Sequence, residues 1–110
     1  TMQEISNLCM PALYKLNLND NELGLVGCRI LSESHLLNRL TELSLNNNRI
    51  KDSGLKALAS ADLSSIEDLS LNDNNLTDDS IAALKGKLSN LECLSLGGNR
   101  LNDKAVPLIN

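Results

Sequence analysis

The chain has no Trp, no Phe and a single Tyr in 110 residues, so aromatic side chains cannot build its interior. The core must be aliphatic, with each buried Leu or Ile contributing about 1.5 to 3 kcal/mol. That length suits one domain burying roughly two thirds of the surface its unfolded chain exposes. No stretch approaches the ~18 apolar residues of a spanning helix, which excludes a membrane partner of that kind. A basic start followed by an apolar segment is also missing at the N-terminus, so no retained signal peptide is expected; a cleaved one would leave no trace. Basic residues do not predominate. The net charge of -4 disfavours nucleic acid as a partner, because that binding depends on neutralising phosphates with Lys and Arg. Cysteine is limited to Cys9, Cys28 and Cys93, an odd set with no paired spacing. These are expected to be reduced thiols of an intracellular, cytoplasmic protein.

What the chain does have is a repeated unit. Leu91, Leu94, Leu96, Asn99 and Leu101 form a pattern that recurs as Ile66, Leu69, Leu71, Asn74, Leu76. It recurs again as Leu40, Leu43, Leu45, Asn48, Ile50 and as Leu13, Leu16, Leu18, Asn21, Leu23. Successive starts lie 27, 26 and 25 residues apart. A spacing of LxxLxLxxNxL at a period of about 20 to 29 residues resembles the leucine-rich repeat. The resemblance runs over nearly the whole chain. It implies an α/β solenoid, a right-handed β-α superhelix forming an arc of a horseshoe, with a parallel sheet on the concave side and helices on the convex side. The long repeats, with a small residue ahead of a Leu in each second half, are similar to the ribonuclease-inhibitor-like, intracellular subclass, in which every repeat is a strand plus a full helix.

The repeat divides a single domain, 1–110, into a helix of a truncated repeat at 1–12 and repeats at 13–39, 40–65, 66–90 and 91–110. Paired leucines two apart share one face of a short strand. Strands are therefore predicted at Lys15 to Leu18, Glu42 to Leu45, Asp68 to Leu71 and Cys93 to Leu96. The fixed asparagines Asn21, Asn48, Asn74 and Asn99 are expected to stack, each amide satisfying backbone groups of the neighbouring turn. The helix beginning at Lys51 is expected to open on a capping carboxylate or hydroxyl. Thr77 or Asp78 starts the next one, and Asn102 or Asp103 the last. Gly27, Gly54, Ser80 and Ala105 form a row of small residues that would let helix approach strand. Leu31, Leu58, Leu84 and Ile109 form the buried row of the helical side.

No catalytic constellation stands out. The sole His, His35, falls at the end of a helix or in the turn behind it, whereas Cys93 belongs on the concave side, so that pair would have to reach around the sheet. There is no GxxxxGK phosphate loop, and Gly97 with Gly98 is too short to form one. Asp78 and Asp79 suit the start of a helix, where the dipole favours negative charge, and a calcium loop would need a denser alternation of oxygen ligands. No cofactor and no metal are therefore expected. Asn75, Leu76 and Thr77 match a glycosylation acceptor, but Asn75 falls inside the repeat and the match is read as accidental.

The remaining candidate is a surface. Lys15, Glu42, Asp68 and Cys93 precede the second strand residue, and Asn17, Ser44, Ser70 and Ser95 follow it, all directed away from the leucines. Past the strands come Asn19, Asn46, Asn72 and Gly97, then Asp20, Asn47, Asp73 and Gly98. Flanking positions add Tyr14, Thr41, Glu67 and Glu92 at one end, and Glu22, Arg49, Asn75 and Arg100 at the other. These positions carry seven acids (Asp20, Glu22, Glu42, Glu67, Asp68, Asp73, Glu92) and three bases (Lys15, Arg49, Arg100), a difference of -4. The rest of the chain holds seven of each. The function expected is protein-protein interaction, with a partner protein presenting a basic surface to this acidic concave face. The alternatives are a regulator of a small GTPase, or a structural spacer within a larger repeat protein such as a bacterial effector delivered into a host cell or an innate-immune sensor. An end repeat without a polar cap would also favour weak end-to-end self-association.

Overall fold

A computed structural model describes residues 14–101. The expected helix at 1–12, Leu13, the helix start at Asn102 or Asp103, and Ala105 and Ile109 with their neighbours lie outside those residues. The described chain alternates strand and helix: β1 (Lys15–Asn17), α1 (Gly24–Glu33), β2 (Glu42–Ser44), α2 (Lys51–Leu58), β3 (Asp68–Ser70), α3 (Asp78–Ala82) and β4 (Cys93–Ser95). All four strands join one parallel sheet in the order β1, β2, β3, β4. The register aligns Lys15 with Glu42, Asp68 and Cys93, and Leu16 with Leu43, Leu69 and Leu94. Repeat therefore stacks on repeat without slippage.

Each strand ends one residue sooner than its pattern predicts. Leu18, Leu45 and Leu71 still donate their N–H groups to Ser44, Ser70 and Ser95 of the next repeat, at 2.8 to 2.9 Å, but the chain has begun to turn. The turn alternates handedness. Asp20, Asn47, Asp73 and Gly98 have φ of 55 to 69°, and two residues later Glu22, Arg49 and Asn75 have φ of 51 to 57°. Asn, Asp and Gly tolerate the left-handed region best, which accounts for the composition of the first of these columns.

The core is a single aliphatic cluster. Leu43, Leu45, Leu69, Leu71, Ile50, Leu76, Leu31, Leu58 and Leu84 are all buried. Leu16 and Leu94, on the outermost described strands, are only partly covered.

The helical side departs from expectation in two ways. The α2 helix has no side-chain cap: Ile50 already has right-handed helical dihedrals, and Lys51 follows it with φ 60°. Asp52 instead reaches across to the next repeat, where its carboxylate accepts the N–H of Thr77 at 2.8 Å and the Thr77 hydroxyl. Thr77, by contrast, is extended and accepts the N–H of Asp79, so it does cap α3. The second departure is length, since helices of 10, 8 and 5 residues do not give every repeat a full helix. After Ala82 the chain continues through tighter turns in which Ala83, Leu84, Lys85 and Lys87 donate to the carbonyls three residues back.

Candidate functional site

In parallel strands with a leucine at the middle position, the residues on either side must face away from the core. Lys15, Glu42, Asp68 and Cys93 consequently form one outward row across the sheet, and Asn17, Ser44, Ser70 and Ser95 form the next. These eight line one shallow groove of about 480 Å³, with Leu16 and Leu43 in its floor. Tyr14, 55% exposed, stands beside its entrance, with the Lys15 ammonium 5.7 Å from the ring centroid. Asp20, Asn47, Arg49, Asp73 and Arg100 do not line the groove. They sit in the turns beyond the strands, exposed to solvent.

The turns are held by two ladders of amides. In the first, the Asn48 side-chain oxygen accepts the N–H of Asn21 at 2.9 Å, while its NH2 donates to the carbonyls of Leu18 and Asn46 at 2.9 and 3.1 Å. Asn74 does the same for Asn48, Leu45 and Asn72, and Asn99 for Asn74 and Leu71. Asn48 and Asn74 are fully buried, so these bonds satisfy backbone groups that water cannot reach.

The second ladder runs the opposite way, and it makes structural a column that the sequence pattern presents only as surface. The Asn19 oxygen accepts the Ser44 hydroxyl at 2.7 Å and the Asn46 N–H at 2.8 Å. Asn46 repeats this for Ser70 and Asn72, and Asn72 accepts the N–H of Gly97 at 2.6 Å. Ser44 and Ser70 therefore spend their hydroxyl protons inside the protein. An asparagine at every equivalent position until Gly97 was the available signal.

Charge on this face is unevenly neutralised. Lys15 pairs with Glu42 at 3.6 Å and Arg49 with Glu22 at 3.5 Å, and the Asp20 carboxylate accepts the Asn47 amide at 2.8 Å. All three acids of the first two repeats are thus engaged. Glu67, Asp68, Asp73 and Glu92 of the next two have no side-chain hydrogen bond or ion pair among the described residues. A second depression, of about 590 Å³, lies between α1 and α2 on the other side of the molecule. Although larger, it is lined by Arg29, Lys56 and Glu33 among short polar and aliphatic groups, so its excess charge is basic where that of the concave groove is acidic.

The described thiols and the histidine occupy separate parts of the fold. Cys28 is fully buried in α1, and burial pushes its thiol up to about 12, which leaves no thiolate near neutral pH. Cys93 is exposed on β4, and His35 lies exposed in the bend after α1, on the helical side of the sheet. No group of three or more His, Cys, Asp or Glu among the described residues could hold a metal ion, and no described helix is long and apolar enough to cross a membrane.

Comparison with known proteins bears on the repeat itself. The family model for the leucine-rich repeat matches residues 38–59, 62–85 and 87–106, which coincide with the second, third and fourth repeats of the pattern. No curated protein matches the chain. Leucine-rich repeats generally mediate protein-protein interaction and are not typically enzymes. With three matched repeats laid on one parallel sheet, the chain belongs to the leucine-rich-repeat family.

Proposed function

We propose that this chain is an interaction module, without catalytic chemistry or cofactor, that binds a partner protein's basic surface on its concave sheet face. The observation that carries the proposal is the distribution of charge. The positions on and flanking the strands hold all of the net charge of -4, while the remainder of the chain balances. Opposite potentials steer encounter and fix orientation more than they add raw affinity, so a basic partner would be captured fast and held in one pose. Ser and Asn at the centre of the groove make it shallow, which suits a broad protein contact rather than a small molecule.

An intracellular setting is supported by the free thiols of Cys28 and Cys93. Helices of 10 and 8 residues in the first two repeats fit the ribonuclease-inhibitor-like subclass, whereas the 5-residue helix of the third does not. The test is capture from a lysate by the wild-type chain beside a Glu42→Lys, Asp68→Lys, Asp73→Lys variant, with circular dichroism to verify that both fold. A partner held by wild type and lost by the variant is expected. A partner held equally by both would move the site off this face.

A further inference from the structure

The concave face is not one uniform acidic surface. On the first two repeats every acid has an intramolecular partner: Glu42 has Lys15, Glu22 has Arg49, and Asp20 has the Asn47 amide. On the third and fourth repeats Glu67, Asp68, Asp73 and Glu92 have none among the described residues. Counting formal charges on the same concave and flanking positions, the first two repeats carry three acids and two bases (-1), and the last two carry four acids and one base (-3).

Position sharpens the contrast. Asp68 begins β3 and pairs in register with Cys93 of β4, and the backbone N–H groups of Glu92 and Cys93 both bond to the Glu67 carbonyl at 2.7 and 3.0 Å. Glu67 and Asp68 therefore lead into β3 and Glu92 into β4, at the entering ends of two hydrogen-bonded strands whose backbones run about 4.8 Å apart; Asp68 lines the groove, and Glu67 and Glu92 are exposed at its edge. Arg100 is at the opposite, exit end of β4 and Lys15 is two strands away, already paired. Like charges on neighbouring strand ends repel one another, and a cationic group from outside relieves that repulsion as well as pairing.

Resting on the proposed concave-face reading, we infer that the docking face is polarised: a cationic segment of the partner protein seats its Lys or Arg side chains on Glu67, Asp68 and Glu92 at β3 and β4. The β1 and β2 half, with its own pairs closed, takes neutral polar contacts through Asn17 and Ser44. Lys15 sets the polarity. Its ammonium closes Glu42 to incoming cations and repels a basic segment that approaches the wrong half.

The test is titration of the 15N-labelled chain with a tetralysine peptide at low ionic strength, following backbone amide shifts. The expected result is a saturable response largest at 67–70 and 92–95 and small at 15–17 and 42–44. Asp68→Asn with Glu92→Gln, which keeps side-chain shape, should weaken binding several-fold. Lys15→Gln, by freeing Glu42, should spread the response onto β2. A response of equal size along all four strands, or a Lys15→Gln map identical to wild type, would overturn the polarity while leaving a concave acidic site in place. A response confined to the helical side, at Asp78 and Asp79, would overturn both readings.

Discussion

Asn74 shows how much of this fold depends on single amides. Its oxygen accepts the N–H groups of Asn48 and Ile50, and its NH2 donates to the carbonyls of Leu45 and Asn72, all at a position with no solvent access. Asn74→Ala leaves those backbone groups unpaired in a dry interior, at about 3 kcal/mol. Asn21→Ala should cost below about 1 kcal/mol, because Asn21 is exposed and, among the described residues, its side chain bonds only to Leu18 and Asn19 of its own turn. Urea unfolding midpoints of the two variants check that ordering. Asp52 supplies a pH-dependent link between repeats. Partial burial works to raise its pKa, but hydrogen bonds from the Thr77 and Ser80 hydroxyls and the Thr77 N–H, with the Lys56 charge, outweigh it and hold the carboxyl below its ordinary 3.8. A carboxylate with a depressed folded-state pKa stabilises fully above its unfolded value, and that stability is lost as pH falls through the folded one. Asp52→Asn should therefore be less stable than wild type at neutral pH and lose less on acidification below about pH 4, as read from thermal midpoints across that range. Neither role could be read from the sequence in full. The asparagine column was visible as a column, but a capping role within its own helix was the local expectation for Asp52, and only the stacked repeats reveal that its bond goes to the next one.

At the scale of elements, the repeat length falls from 27 to 26 to 25 while the helices fall from 10 to 8 to 5 residues. The strands stay at three residues, since their register is fixed by pairing with the adjoining strand. The convex side therefore absorbs the drift, ending in a turn at Gly86 with φ 80°. The row of small residues also has a different cause from the one its spacing suggests. A β-carbon added at Gly27 would lie 2.6 Å from the Leu23 β-carbon, and one at Gly54 would lie 2.8 Å from the Ile50 γ-methyl and 3.4 Å from the Cys28 sulfur. The crowding comes from the residue that leads each helix, not from the sheet. In these two repeats the next residue, Gly24 or Lys51, is left-handed and brings the leading side chain beneath the glycine. In the third, Thr77 is extended, and Ser80 fits. Replacing a helical Gly with Ala ordinarily gains about 1 kcal/mol; overpacking against a rigid Cβ costs about 1 to 3 kcal/mol. Gly27→Ala should thus destabilise the chain, whereas Ser53→Ala on the exposed face of α2 should not. Chemical denaturation of the pair decides which effect wins.

On the scale of the whole molecule, each described strand lies beside the strand, and each described helix beside the helix, of the adjoining repeat, the one-dimensional stacking expected of a solenoid. That made the architecture legible early. A fourfold leucine pattern with a constant asparagine fixes strand, turn and register together, because no other arrangement buries every Leu while pairing every turn. The acidic excess was legible too, as a sum. Its partition was not, since whether Glu42 or Asp68 is free depends on Lys15 standing beside the one, 27 residues earlier in sequence, and the uncharged Cys93 beside the other, 25 residues later. Local pattern carries periodicity; pairing between repeats needs three dimensions.

The decisive measurement compares two charge reversals of equal size against the captured partner. Asp68→Lys with Asp73→Lys alters the concave side, and Glu33→Lys with Asp79→Lys alters the helical side, each raising the net charge from -4 to 0. Binding is followed at low and at high salt, where exposed charges beyond about 10 Å are screened. Loss of affinity in the concave variant alone, with wild-type binding weakened by salt, is the predicted result. Equal loss in both variants, or wild-type affinity indifferent to salt, would contradict it.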